Sequence, residues 1–157
     1  QILDAKNIIA IHPNGIDPRK LKGVVIDDSK AKTTGPWSRS ASSKKFVGGG
    51  YLHDGNARDG RNSATFEAKL PTSGRYEVRI AAPHNKNRAS NALVEIRHAA
   101  GSETRRINQR AQPPIDGLFI SLGVFEFHKG APATVTLSNT DANGYIIADA
   151  VQWLPKD

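Results

Sequence analysis

Residues 64–82 read Ala64-Thr-Phe-Glu-Ala-Lys-Leu-Pro-Thr-Ser-Gly-Arg-Tyr-Glu-Val-Arg-Ile-Ala-Ala82, two alternating runs separated by a short turn. Apolar side chains recur at every second position, which is the period of a strand with one buried face. Pro71-Thr-Ser-Gly74 supplies the turn-forming residues between the two runs. The stretch therefore predicts two strands joined as a hairpin, the usual unit of an antiparallel sheet.

Segments of the same kind fill the rest of the chain. They are bounded by Gly, Pro, Asn and Asp, and no run of about eleven residues or more combines helical spacing with caps. Residues 104–109 are expected to pair with the strand over 91–98. The other predicted strands lie near residues 23–28, 118–127, 133–138 and 144–154. Roughly eight to ten short strands with frequent turns predict a single all-β domain, an antiparallel β-sandwich or barrel.

Residues 1–22 differ from the remainder, since Pro13, Gly15 and Pro18 interrupt two short apolar clusters. This pattern predicts an N-terminal arm or linker over 1–22 and the β domain over 23–157. The chain starts at Gln1 and contains no Met, so we expect it to have been cut from a longer protein. An export signal is then expected upstream. No apolar run reaches the roughly 18 residues that cross a bilayer, and no membrane contact is predicted.

The charge balance favours an anionic partner. The chain has 22 Lys and Arg against 15 Asp and Glu, a formal net charge of +7. These basic residues are scattered, whereas a nucleic-acid groove needs a contiguous positive stripe with stacking aromatics. We therefore expect no nucleic acid. A well-solvated surface is the alternative explanation of the charge.

No catalytic constellation is recognisable. Cys is absent, which excludes thiol chemistry, and there is no Gly-x-Ser-x-Gly elbow. The five His never stand three or four residues apart, so a helix-borne zinc site is not expected. The isolated domain is predicted not to be an enzyme. Paired carboxylates for glycoside hydrolysis stay open by residue type alone, at Asp27, Asp28, Asp54, Asp59 and Asp149.

One loop has the composition of a calcium site. Asp54-Gly-Asn-Ala-Arg-Asp-Gly60 is rich in oxygen ligands and punctuated by glycine. An EF-hand needs a bidentate Glu at the twelfth position, where this chain has Thr65. The same residues are typical of an ordinary turn, because Asp and Asn side chains form hydrogen bonds with the nearby backbone. We predict no cofactor and no metal, with calcium at this loop as the alternative.

Sugar recognition needs an exposed aromatic face and polar groups that bond hydroxyls. Several loop residues could supply these groups, and they are the predicted ligand-binding residues: Trp37, Tyr51, His53, Asp54, His84, Asn85 and Arg88. A core or sheet-edge position is the alternative for Trp37.

Two residues of the last predicted strand are assigned structural roles. Asp149 interrupts an apolar run, and an ionised group there needs a partner. We expect it to pair with Arg88 or with backbone donors, so Asp149→Ala should lower stability by about 3 kcal/mol or more. Trp153 is expected to be buried.

Residues 23–155 resemble the golvesin and xanthan-lyase carbohydrate-binding-domain-like module. This module occurs near the C-termini of secreted bacterial FAD-dependent oxidoreductases and polysaccharide lyases. The matching elements are Val25-Ile-Asp-Asp28, Gly35-Pro-Trp37, Gly50-Tyr51, Leu70-Pro-Thr-Ser-Gly-Arg-Tyr76-Glu-Val78, Asn87-Arg88-Ala89-Ser-Asn91, Asn108-Gln109, Leu122-Gly-Val-Phe-Glu-Phe127, Val135-Thr-Leu137-Ser-Asn139 and Ala148-Asp-Ala-Val151.

The resemblance implies a jelly-roll-like β-sandwich that holds an attached enzyme on polysaccharide outside the cytoplasm. The positive charge points to an acidic or sulfated glycan. A structural domain that docks on its parent enzyme, with no glycan site, is the second hypothesis. A small lyase or hydrolase is the third.

Overall fold

Strands make up nearly all of the regular structure in the computed structural model, which describes residues 10–157. Two short 3-10 helices, Pro18–Lys20 and Asp28–Lys30, are the helical segments of this range. The all-β prediction is confirmed. The strands are β1 Gly15–Ile16, β2 Val24–Asp27, β3 Lys32–Thr34, β4 Ser38–Ser40, β5 Phe46–Val47, β6 Tyr51–His53, β7 Ser63–Ala68, β8 Gly74–Ala81, β9 Ala92–His98, β10 Gly101–Ile107, β11 Phe119–Phe127, β12 Ala133–Ser138, β13 Ile147–Ala148 and β14 Ala150–Lys156.

Two antiparallel sheets form the sandwich. One has five strands in the order β10-β9-β12-β7-β3, and the other has four in the order β11-β8-β14-β2. Each strand places alternate side chains between the sheets, where they form the main core. Its large members include Phe66, Tyr76, Ile80, Ile96, Phe127, Leu137 and Trp153. The predicted burial of Trp153 is confirmed, since the residue has no exposed surface.

The predicted hairpin over residues 64–82 is wrong in its pairing. Both strands form, but β7 pairs with β3 and β12, whereas β8 pairs with β11 and β14. The Pro71-Thr-Ser-Gly74 connection carries the chain from one sheet to the other. Phe66 and Val78 then belong to the same core from opposite sheets. Alternation identifies the buried face of a strand, and it does not identify the neighbour.

Strand pairs elsewhere follow the sequence more closely. β9 and β10 form a hairpin in which His98 faces Gly101, as expected for residues 91–109. β12 covers the predicted 133–138 segment. β11 contains a bulge between Ser121 and Gly123. A third sheet, in the order β13-β6-β4, lies beside the sandwich.

The described part of the predicted arm packs on the domain. β1 pairs in parallel with β5, and Ile16 and Leu21 cover a second apolar cluster that includes Val47 and Phe119. Residues 1–9 lie outside the described residues. The boundary at residue 23 remains a prediction. None of the helices in the described range is long and apolar enough to span a membrane.

Candidate functional site

A polar cleft of about 640 Å³ opens at one end of the sandwich. Three connections line it: residues 42–45 after β4, residues 82–88 after β8, and residues 112–118 before β11. It brings together three of the predicted ligand-binding residues, His84, Asn85 and Arg88. We call this site the polar cleft throughout. Loops held by a rigid sandwich are the usual place for binding residues.

The 82–88 connection is folded by its own polar groups. Pro83 follows the end of β8, and the Arg88 amide donates to the Asn85 carbonyl at 3.1 Å, which closes a turn. The Arg88 guanidinium donates from Nε to the Pro83 carbonyl at 3.2 Å and from Nη1 to Asn87 Oδ1 at 2.9 Å. Arg88 is therefore oriented by the loop that it belongs to, while His84 and Asn85 are exposed.

Tyr51 lies behind the cleft, and its predicted role as a sugar-stacking ring is wrong. Its ring is only 1% exposed, so no pyranose can reach either face. The Arg88 guanidinium carbon lies 5.9 Å from the ring centroid, a cation–π distance. The Tyr51 hydroxyl contacts Ser43 Oγ at 2.8 Å and Ser42 Oγ at 3.2 Å. Tyr51 thus positions the 42–45 loop and Arg88 rather than binding a ligand.

The hydrogen bonds with these serines also lower the pKa of Tyr51. Burial raises the pKa of Tyr51, but the hydrogen bonds with Ser40, Ser42 and Ser43 and the charge of Arg88 outweigh burial. The net pKa is about 8. The hydrogen bonds of the Tyr51 hydroxyl thus fix the position of the loop that carries Lys44 and Lys45.

The walls of the cleft are positively charged. Lys44, Lys45 and Arg88 line it together with His84, and no carboxylate side chain lines it among the described residues. Lys45 Nζ also donates to the Asp116 carbonyl, which links the first connection to the third. Such a cleft attracts anions and offers several hydrogen-bond donors. No Phe, Trp or Tyr side chain lines it in the described range, so the cleft offers hydrogen-bonding and charged groups rather than a stacking ring of that kind.

The other predicted ligand-binding residues lie elsewhere. Trp37 is half-buried against the main core, and its indole N–H donates to the Thr34 carbonyl at 2.9 Å. This is the sheet-edge alternative given above. His53 is also half-buried, and its ring meets the Tyr145 ring edge-on at 5.7 Å. The two residues stand close along one ladder, since Ser38 pairs with His53.

Asp54 is a structural residue, contrary to its predicted role in ligand binding. It is 3% exposed, and its Oδ1 accepts from the amides of Asn56 and Ile146, both at 3.0 Å. Asn139 Nδ2 donates to Oδ2 at 3.1 Å. These bonds belong to a folded turn, as the turn interpretation of residues 54–60 proposes.

The sequence reasoning missed Lys44, Lys45 and Gln112 as cleft residues. The lysines stand in a Ser, Lys and Gly-rich stretch, and adjacent basic residues in a predicted loop were the available signal. Nothing in the sequence indicates that the connections before β5 and before β11 meet the turn after β8.

Asp149 forms no ion pair with Arg88, so the first of its two expected partners is wrong. Its carboxylate accepts from the Val47 amide at 3.0 Å, which is the second option, a backbone donor. Desolvation by complete burial raises the pKa of Asp149 well above its usual range, against the effect of that bond. The nearby Asp28 and Asp27 raise it further.

These three aspartates form a buried cluster. Burial, followed by the charge of Asp27, raises the pKa of Asp28 to about 8, although Arg39 acts in the opposite direction. Asp27, Asp28 and Asp149 are at most 3% exposed. A sugar cannot reach them, so they do not form an open pair of catalytic carboxylates.

Comparison with known proteins identifies relatives over most of the chain. The family model described as the Golvesin C-terminal domain matches residues 24–154. A xanthan lyase of Bacillus sp. (strain GL1) is 35% identical over 147 residues, which cover 88% of this chain and 16% of that protein. The chain thus spans about a sixth of the length of this relative.

Solved structures share the fold. A Paenibacillus xanthan lyase superposes with a TM-score of 0.80 at 30% identity, over 85% of this chain and 13% of that one. A carbohydrate-binding module from lichenase 5A of Cellvibrio mixtus, in complex with cellotriose, superposes with a TM-score of 0.57 at 13% identity. That match covers 85% of this chain and 98% of the module, and at this identity it shows the fold alone.

Proposed function

Because the chain belongs to the Golvesin C-terminal domain family, we propose that it is a non-catalytic carbohydrate-binding module. Its ligand is a polysaccharide carrying acidic groups, bound in the polar cleft. The observation that carries the proposal is the convergence of Lys44, Lys45 and Arg88 on one cleft with no opposing carboxylate among the described residues.

Two kinds of group in the cleft suit an acidic sugar. The lysines offer ammonium groups for a carboxylate or sulfate, and charge-assisted hydrogen bonds are the stronger kind. Asn85 and Gln112 offer amide groups that can both donate to and accept from hydroxyls. The guanidinium of Arg88 is oriented before any ligand arrives, which lowers the entropic cost of binding.

The module acts by proximity. A catalytic domain joined to it would meet the polysaccharide at a high effective concentration, since the second encounter becomes intramolecular. The relation to xanthan lyases favours a parent enzyme that degrades polysaccharide, and it favours a location outside the cytoplasm. Xanthan is the first polysaccharide to test, because it is named in both relatives.

Affinity electrophoresis of the 157-residue chain tests the proposal. Gels that contain either xanthan or a neutral mannan, run at low salt, should distinguish a preference for acidic polysaccharide from binding of polysaccharide in general. We expect retardation by xanthan, weaker retardation by the neutral polymer, and loss of retardation as salt rises, because exposed charges are screened.

Matched lysine variants locate the binding. Lys44→Ala with Lys45→Ala should remove most of the retardation, whereas Lys32→Ala with Lys69→Ala, which removes the same charge at two exposed positions outside the cleft, should not. Gels with no retardation by any acidic or neutral polysaccharide would refute the proposal. Retardation lost equally in the Lys32 and Lys69 control would mean that general surface charge, rather than the cleft, holds the polymer.

Docking on a parent enzyme is the alternative function. A smaller cleft of about 320 Å³, lined by Ile107, Pro113, Ile120 and Leu122 among others, favours it. Such a surface would bind a neighbouring domain of the same protein without any glycan. Binding of the isolated chain to the separated catalytic domain, together with failure of every gel test, would select this alternative.

A further inference from the structure

Asp27, Asp28 and Asp149 meet although more than a hundred residues separate the first pair from the third. Asp27 ends β2 and Asp28 begins the helix Asp28–Lys30, while Asp149 stands between β13 and β14. The ladder between β2 and β14 pairs Asp27 with Ala150, which brings Asp149 beside the acidic pair. One carboxylate oxygen from each of the three lies within 4.8 Å of the others.

In two of the carboxylates, one oxygen accepts a hydrogen bond and the other has no partner among the described residues. Asp27 Oδ2 accepts from the Ser29 amide at 3.1 Å, and Asp28 Oδ2 accepts from Arg39 Nη1 at 2.8 Å. Oδ1 of Asp27 and Oδ1 of Asp28 are buried, and neither has a hydrogen-bond partner in the described part of the chain. A buried carboxylate oxygen without a partner is costly, so each of these atoms needs a ligand, which can be a cation, a water or a shared proton.

The charges point to the class of that ligand. Three carboxylates are buried together, and Arg39 forms an ion pair with one of them. When all three carboxylates are ionised, their charge beyond that of the guanidinium equals the charge of one divalent cation. All of the candidate ligand atoms are oxygens, which hard cations prefer.

We propose that Asp27, Asp28 and Asp149 bind one calcium ion, a structural site that joins β2 to the start of β14. Calcium–oxygen distances of about 2.3–2.6 Å allow two ligands of one ion to lie up to about 5 Å apart. The spacing of the three oxygens satisfies this limit. Magnesium, with distances of about 2.0–2.1 Å, requires a tighter set. The site is separate from the polar cleft and from the 54–60 loop.

Calcium titration of the chelator-treated chain, with no polysaccharide present, is the test. After EDTA treatment and buffer exchange, calorimetry with CaCl₂ should give one site per chain. The melting temperature should rise by about 5 °C or more when calcium is about a hundredfold above its dissociation constant. MgCl₂ should give a smaller rise. These readouts do not depend on glycan binding.

Substitutions test whether the calcium ion is bound by this aspartate cluster. Asp28→Asn should abolish the calcium-dependent rise, and so should Asp149→Asn, which keeps an acceptor for the Val47 amide. Asp59→Asn, in the exposed 54–60 loop, should retain it.

Three results would overturn the proposal. The first is a wild-type chain that shows neither binding heat nor a melting shift with calcium, in which case shared protons explain the cluster. The second is a shift that survives in both cluster variants or disappears in the Asp59 control. An equal response to magnesium would overturn the assignment to calcium.

Discussion

Arg88 shows how far a single residue can be interpreted from sequence. Its neighbourhood of Asn and His predicts a polar site, and the structure places it on the polar cleft. The sequence predicts Arg88 as one of two possible partners of Asp149, but Arg88 instead donates to Pro83 and Asn87 and lies over the ring of Tyr51. Sequence indicates that a buried charge needs a partner. It does not indicate which of several polar groups folding will bring near.

Gly48 is a residue whose role only the structure reveals. Its φ is +75°, and a Cβ built there would lie 2.5 Å from Asp27 Oδ1. Gly130 has a similar φ of +84° and open space around its Cβ position. Alanine substitutions at the two glycines therefore separate the cost of a left-handed backbone, which both share, from the cost of the contact with Asp27, which only Gly48→Ala creates.

We predict that Gly48→Ala lowers the free energy of unfolding by about 2–4 kcal/mol and Gly130→Ala by about 1 kcal/mol. Both variants pay the left-handed backbone cost, and only the first presses a methyl group against the buried carboxylate. Urea denaturation of the two variants and the wild type measures the difference. Equal losses in the two variants would show that the contact with Asp27 has no energetic weight.

At the scale of the strands, the sequence predicts which face of a strand is buried better than it predicts which strands pair. Most apolar positions of β7, β8, β9, β11 and β12 lie in the main core, as their alternation requires. Val124 of β11, which follows the bulge, is an exception and is 41% exposed. The hairpin over 64–82 failed because a five-residue connection can either turn within a sheet or cross between two sheets. Both options bury the same side chains, so the pattern of Phe66 and Val78 cannot distinguish them.

The ladder between β8 and β14 carries a charge network on its outer side. Glu77 Oε1 lies 2.8 Å from Arg79 Nη2 and 3.2 Å from Lys156 Nζ. The hydrogen bond from Arg79 is the largest cause that lowers the pKa of Glu77 from 4.5 to about 2, against a smaller effect of burial. Ser121 and Lys156 lower it further.

This depressed pKa predicts a pH-dependent contribution to stability. The ionised form is favoured by folding, so the contribution is complete above about pH 5 and is lost as the pH falls towards 2. Unfolding free energies measured from pH 6 to pH 2 should fall less steeply in Glu77→Gln than in the wild type. Glu95→Gln, an exposed position on β9, should follow the wild-type slope. Identical slopes in wild type and Glu77→Gln would contradict the assignment.

At the scale of the whole molecule, the features that sequence missed are those that join distant segments. The polar cleft needs three connections that lie up to about seventy residues apart, as the contact between Lys45 and Asp116 shows. The aspartate cluster needs the pairing of the first long strand with the last. Residue type suggested both sets of polar groups, but only the sandwich topology decides which of them meet.

The topology also explains which predicted residues separate. Trp37 and His53 lie on the β4–β6 ladder and its flank, whereas His84 and Arg88 lie on the connection after β8. The residues that line the polar cleft were therefore predicted in part, while its lysines were not. The proposed binding of a polysaccharide there depends on charge rather than on a stacked aromatic ring.

The most direct test of binding in the polar cleft is a map of amide chemical-shift changes when xanthan oligosaccharides are added to the isotope-labelled chain. We expect saturable changes concentrated in residues 42–45, 82–88 and 112–118, which weaken as salt is added. Saturable changes confined to the outer faces of the sheets or to the Trp37 and His53 region, with the three cleft connections unaffected, would contradict it.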